Sequence, residues 1–175
     1  MTRPLDVLVL RGAPGAGKST LGRHLRKALP SGAVIEVDDL RGMLAQVDWS
    51  SREHHDIAMS VAMEALLGFL GVGVRPVVLI DTFSRSRLHA VQARLDRSGL
   101  RHHTLSLWVQ PDVLKARLEA RTTGFKDWEP SNILNDEVAS NRYPFERLVD
   151  ATPLTPEAVT ALALELVAAQ GEVST

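Results

Sequence analysis

The sequence predicts a three-layer α/β domain built on a five-stranded parallel sheet. Three observations carry this expectation. Short apolar or β-branched runs alternate with helical stretches along the chain, the pattern of a sheet covered by helices on both faces. Two of those runs, residues 5–10 (LDVLVL) and 76–80 (PVVLI), are almost continuously apolar, as strands buried on both sides must be. The first run leads directly into a glycine-rich turn and then a helical pattern. A length of 175 residues suits one domain with a full core, so the chain reads as a single domain over 1–175.

The elements follow in order. Residues 5–10 form the first strand. Residues 19–29 form a helix with Leu21, Leu25 and Ala28/Leu29 on one face, ended by Pro30-Ser31-Gly32. Residues 33–37 are the second strand and 38–46 a short helix or turn. Residues 53–70 are a long helix with Ile57, Val61, Ala65 and Leu66 as its apolar stripe. Residues 76–80 are the third strand, followed by a helix over 85–97 that turns Leu88, Val91 and Leu95 inward. Residues 104–109 are the fourth strand, and Pro111 starts a helix over 111–121. Residues 122–131 lack periodicity and contain Gly124 and Pro130, so they read as a loop at a lid of about 122–141; residues 132–141 are helical. A short last strand at 148–150 and a closing helix over 156–169 complete the chain.

Composition excludes several classes. There are no cysteines, which removes a disulfide framework, a thiolate metal site and a thiol nucleophile, and fits a cytoplasmic location. The N-terminus runs straight into a strand pattern too short for a signal peptide, and no apolar run reaches the roughly 18 residues of a membrane span. The net charge of −1 gives no bulk attraction to nucleic acid.

The turn after the first strand is Gly12-Ala13-Pro14-Gly15-Ala16-Gly17-Lys18-Ser19-Thr20, which meets G-x-x-x-x-G-K-[ST] at every fixed position. Wrapping a polyphosphate requires backbone N–H groups at close range, and glycines allow that approach. Lys18 supplies charge to the β- and γ-phosphates, Ser19 supplies a hydroxyl to Mg2+, and the helix that begins there points its positive end at the anion. The pattern arises by chance in roughly one chain of this length in a hundred, and its place between a strand and a helix lowers that further. No guanine-specific N/T-K-x-D segment is present, which favours ATP.

The remaining candidates sit where strands end, the side on which open α/β sheets bind ligands. Val37-Asp38-Asp39-Leu40-Arg41 follows the second strand. Asp38 is a candidate base for an acceptor hydroxyl and Arg41 a candidate ligand for the acceptor or its phosphate; the bland alternative is a capping aspartate, for which Asp39 is the better choice, and a solvated arginine. The third strand ends in Ile80-Asp81-Thr82, an apolar run closed by a carboxylate able to reach Mg2+ or the substrate. Arg117 and Arg121 share a helix face just before the lid, placed to clamp ATP or offset transition-state charge; Arg142 is a weaker candidate. Arg85, Arg87, Arg94, Arg97 and Arg101 make residues 85–101 basic, a possible nucleic-acid contact that an ordinary solvated helix face explains better. Adjacent His54 and His55 point in different directions on a helix, so metal binding there is not favoured. Trp49, Phe125 and Trp128 are aromatic candidates for an acceptor site, with packing the simpler reading.

Together the phosphate loop, the DD-x-R segment, Asp-Thr after strand three and R-x-x-x-R before a lid resemble the kinase module of polynucleotide 5′-kinases. They also resemble the small P-loop kinases that include chloramphenicol phosphotransferase and zeta-type toxins, within the wider set of AAA-type P-loop ATPases. The resemblance spans roughly residues 5–170. It implies strand order 2-3-1-4-5, ATP and Mg2+ served by Lys18 and Ser19, Asp38 as general base, Arg41 as acceptor-phosphate ligand and Arg121 as lid clamp. Polynucleotide kinases tend to carry Asp-Thr-Asn or Asp-Ala-Thr-Asn where this chain has Asp81-Thr82-Phe83, so the resemblance supports kinase chemistry more than a nucleic-acid acceptor. The expected activity is ATP-dependent transfer of the γ-phosphate to a hydroxyl of a small molecule, a nucleoside or a nucleic-acid 5′ end. Two alternatives stand beside it: an ATP-hydrolysing switch without an acceptor, and a toxin-like kinase acting on a nucleotide sugar.

Overall fold

The computed structural model describes residues 5–122, 124–140, 143 and 145–168. Its elements are β1 (Val7–Gly12), α1 (Lys18–Ala28), β2 (Ala33–Glu36), α2 (Val37–Arg41), α3 (Arg52–Gly71), β3 (Val77–Asp81), α4 (Arg85–Arg97), β4 (His102–Trp108), α5 (Pro111–Glu119), α6 (Trp128–Ser140), β5 (Glu146–Asp150) and α7 (Pro156–Ala168). The five strands are all parallel in the order β2-β3-β1-β4-β5, so the expected fold class and strand order both hold.

Alternation along the strands sorts side chains between two cores. Leu8, Leu10, Val78, Ile80, Leu105 and Leu107 face α1, α5 and α7. Val7, Val9, Ile35, Val77 and Leu79 face α3 and α4. Every residue of β1 and of β3 is buried, because helices cover both faces. The carboxyl ends of β1, β2 and β3 therefore carry the polar residues that the apolar strand interiors exclude: Arg11, Glu36 and Asp81.

The structure corrects the sequence reading in three places. The buried face of α3 is Ala58, Ala62, Met63, Leu66 and Leu70 together with His55, while Ile57 and Val61 stand 41% and 49% exposed. The expected stripe was thus rotated by about one residue, because apolar positions occur on both sides of this helix. Ala28 at the end of α1 is exposed rather than inward-facing. The segment after α5 is shorter than expected, since α6 already begins at Trp128. Trp128 packs partly buried against the core and lies 6.0 Å below the Lys115 ammonium. Arg142 lies outside the described residues.

Candidate active site

The phosphate loop joins β1 to α1. Gly17 is the N-cap of α1 with φ 105°, a backbone that disfavours any residue with a Cβ. No side chain caps this helix, so the N–H groups of its first turn are open to an anion. A Cβ built on Gly17 would meet nothing within 4 Å, which puts open space at the mouth of the loop. Lys18 folds back over the turn, where its Nζ donates to the carbonyls of Gly12 at 2.8 Å and Ala13 at 3.0 Å. Burial lowers its pKa to about 8; the Asp81 and Asp38 carboxylates oppose that shift, Arg121 adds to it and Glu36 opposes it weakly. Lys18 thus feels a group from each of β3, α2 and the segment after α5. Pro14, Gly15 and Ala16 form the turn between Gly12 and Gly17, and Thr20 Oγ1 accepts from Arg23 Nη2 at 3.1 Å.

Ser19 is exposed at the start of α1, with its hydroxyl in hydrogen-bonding contact with Glu36. Burial raises the pKa of Glu36, and the contact with Ser19 moderates this. Gly22 makes room for that carboxylate, because a Cβ there would lie 2.9 Å from Glu36 Oε1 and 2.7 Å from Ile80 Cδ1. These residues suit Mg2+ held jointly with phosphate. Among the described residues no group of three or more His, Cys, Asp or Glu could hold an ion by itself. An ion at Ser19 would take the rest of its oxygen shell from phosphate and water, as Mg2+ commonly does.

The second half of the site comes from α2, α3 and β3. Both aspartates lie inside α2, whose N-cap is Glu36. Asp39 pairs with Arg26 at 3.1 Å instead of capping. Asp38 keeps contact with solvent, yet desolvation by the surrounding protein raises its pKa. The Asp81 charge adds to the rise, while Lys18, Arg41 and His55 oppose it. Asp81 is buried at the end of β3, and its Oδ2 lies 2.9 Å from His55 Nε2. Arg41 is buried and committed to the protein: Nη2 donates to the carbonyls of Asp48 at 3.0 Å and Ser51 at 2.9 Å. Its guanidinium lies 5.2 Å from the ring of Trp49, which is 53% exposed.

Arg121 follows α5 half-buried, with Nη1 donating to the Phe125 carbonyl at 3.3 Å. Arg117, one turn earlier, is also half-buried. The polar floor extends sideways from Asp81 to Arg11, its register partner on β1. Arg11 is fully buried; it donates to the Phe83 carbonyl at 2.8 Å and to Glu137 at 2.7 Å, and lies 3.5 Å from Glu146.

A family model described as AAA domain matches residues 7–148. The chain belongs to the AAA domain family. No curated protein matches its sequence. Solved structures superpose over almost the whole chain. The tunicamycin resistance protein of Deinococcus radiodurans is 17% identical, with a TM-score of 0.69 over 94% of this chain and 95% of its own. A sugar kinase from Janibacter is 16% identical, with a TM-score of 0.65 over 94% and 95%. A gluconokinase from Sinorhizobium meliloti is 20% identical, with a TM-score of 0.60 over 95% and 94%. At these identities the likeness is one of fold. The fold of this AAA domain is that of a small P-loop kinase.

Glu36 and Arg11 were missed in the sequence, and His55 was weighed there only as a metal ligand and not as a partner of Asp81. His55 lies three residues before Ala58 on the buried face of α3, so correct phasing of that helix reveals it. A glutamate and an arginine closing buried strands beside a phosphate loop are the corresponding signals for Glu36 and Arg11. The basic segment 85–101 is partly neutralised in this AAA domain. Arg87 pairs with Asp56 at 3.0 Å and Arg94 with Glu64 at 2.6 Å, both across to α3. No helix among the described residues is long and apolar enough to cross a membrane.

Proposed function

We infer that this AAA domain is an ATP-dependent kinase that transfers the γ-phosphate to a hydroxyl acceptor. The observation that carries this reading is the convergence on Lys18. The charges of Asp81, Asp38, Arg121 and Glu36, from separate elements, all act on the ammonium of the phosphate loop. Asp38, whose carboxyl desolvation holds above the ordinary aspartate range and whose charge acts on Lys18, supplies the base that transfer to a hydroxyl needs. In the proposed mechanism, Lys18 and the N–H groups at the start of α1 hold the phosphates. Ser19, with Asp81 nearby, serves Mg2+, which offsets charge on the transferring group when bound. Asp38 orients the acceptor hydroxyl and takes its proton. Its raised pKa, caused first by desolvation, makes it a stronger base than an ordinary aspartate. Arg121, and more weakly Arg117, clamp the phosphates as the segment after α5 packs over them.

The acceptor class we favour is a hydroxylated small molecule. Related folds include a sugar kinase and a gluconokinase. Two arginines of the 85–101 segment are taken up by α3 acids rather than left for a nucleic-acid backbone. A single domain acting in the cytoplasm fits this reading. The test is mass-resolved phosphate transfer across a panel of sugars, nucleosides and 5′-hydroxyl oligonucleotides, with Asp38→Ala beside the native protein. The native protein should phosphorylate at least one acceptor, and Asp38→Ala should lower kcat by about 100-fold or more with ATP affinity intact. Undiminished transfer by Asp38→Ala removes Asp38 as the base.

A further inference from the structure

The pair formed by His55 and Asp81 is costly unless it serves a purpose. Both side chains are buried, 7% and 5% exposed as residues, and an apolar side chain at 55 would continue the face made by Ala58, Ala62 and Leu66. Instead His55 Nε2 meets Asp81 Oδ2 at 2.9 Å, a bond in which the imidazole N–H donates to the carboxylate. The described residues make no other hydrogen bond to the Asp81 side chain, so its second oxygen is left to the site. His55 Nδ1 is buried without a hydrogen-bond partner, 3.9 Å from Asp56 Oδ1. The ring is therefore held by a single bond, and that bond is to the site carboxylate.

The position of His55 is itself braced from the other side of the site. It lies in the first turn of α3, and Ser51 Oγ caps that helix by accepting from the His54 N–H at 3.2 Å. Arg41, on the short helix that carries Asp38, donates to the carbonyls of Ser51 and Asp48. A continuous path thus runs from α2 through residues 48–51 and the start of α3 to His55, and from there to Asp81 on β3. The geometry points to His55 as a positioning residue: it holds Asp81 in one orientation beside Asp38, so that both carboxylates face the reacting groups together. The assignment rests on the kinase reading above, which gives Asp81 and Asp38 their roles at the transferring group. Fixing a carboxylate through a buried histidine is the role such supporting partners play at many sites, where removing them costs about 10- to 100-fold in activity.

The experiment compares the native protein with His55→Ala and His55→Gln, whose side-chain amide can still donate to Asp81. Steady-state transfer, the Mg2+ concentration at half-maximal rate and calorimetric ATP affinity are measured for each. The expected result for His55→Ala is a kcat lowered at least tenfold and a raised Mg2+ requirement, with ATP affinity within threefold of native. His55→Gln should recover most of the loss. Should His55→Ala not fold, His55→Leu, which fills the space without an N–H, replaces it. Native kinetics in the variant without the N–H overturn the assignment, as does a glutamine variant no better than alanine or leucine. If the native protein binds ATP and transfers phosphate to no acceptor or water, the kinase reading fails and takes this assignment with it. If the native protein transfers and His55→Ala is unimpaired, the assignment alone fails.

Discussion

If the phosphate loop takes ATP as proposed, the lowered pKa of Lys18 makes that binding depend on pH. In the free protein the ammonium has a pKa of about 8, because burial disfavours the charge more than Asp81 and Asp38 support it. Bound triphosphate adds several negative charges at the same place and brings the pKa back to about 10.5 or above, the ordinary lysine value. The bound state therefore holds the proton more tightly than the free state, and affinity must fall as pH rises through 8. At pH 7 about nine-tenths of the free protein carries the charge, and at pH 9 about one-tenth does. ATP affinity should accordingly drop about tenfold between these two values, equivalent to about 1.4 kcal/mol. ATP itself does not confound the window, since the last phosphate ionisation, with a pKa of about 6, is largely complete above pH 7. Calorimetric titrations with Mg2+ and a non-hydrolysable analogue at pH 7, 8 and 9 measure the drop. Repeating the pH 8 titration in buffers of different ionisation enthalpy should reveal uptake of about half a proton. Lys18→Met should bind weakly with a flat profile. Equal affinity at pH 7 and 9, with no proton uptake, refutes the reasoning.

Two further perturbations test the packing behind the site. Gly22→Ala places a methyl 2.7 Å from Ile80 Cδ1 and 2.9 Å from Glu36 Oε1, so it should destabilise the fold by about 1–3 kcal/mol, read by chemical denaturation, and weaken Mg2+-dependent ATP binding by displacing Glu36 from Ser19. A native midpoint and native affinity would show that Glu36 can withdraw at no cost. Arg11→Met removes the cation between Glu137 and Glu146 and leaves the buried Glu146 carboxylate without it; the loss should approach about 3–5 kcal/mol. Restoration by the double change Arg11→Met with Glu146→Gln, followed by thermal melting, distinguishes an uncompensated charge from lost volume.

The sequence made the nucleotide half of the site readable because that half depends on local backbone. Gly17 at φ 105°, Lys18 and Ser19 are neighbours in the chain, so spacing alone places them. Strand order followed from the resemblance, and the ends of β2 and β3 located Asp38 and Asp81. The half built from α2, α3 and β3 was less legible because its contacts cross the fold. His55 and Asp81 are 26 residues apart, Arg11 and Glu137 are 126 apart, and neither pair shares a motif. Apolar residues on both sides of α3 concealed which face was buried. That misphasing hid His55 at the same time as it turned Ile57 and Val61 inward. Arg41 was legible as a residue near the site, but nothing local indicates that its guanidinium is occupied by the carbonyls of Asp48 and Ser51.

The register of β1 and β3 also explains how a buried arginine and a buried aspartate coexist at the centre of the site. Arg11 and Asp81 are direct neighbours in the sheet, and strand parity turns both toward the face covered by α3 and α4. Left to each other, they would form an ion pair in which Asp81 is neutralised. Each is instead engaged by a different element. Glu137 of α6 and Glu146 of β5 take the Arg11 guanidinium, and the Phe83 carbonyl accepts from its Nε. Phe83 adopts φ 38°, a left-handed backbone uncommon for an aromatic residue, at the turn that presents that carbonyl. His55 takes one oxygen of Asp81. Two acids drawn from beyond the segment after α5 thus balance the Arg11 cation, so the negative charge of Asp81 stays available to Lys18 and the site. On this argument α6 and β5 act on the site through charge balance rather than contact with substrate, and the carbonyl that Phe83 presents from its left-handed backbone completes the set of Arg11 partners.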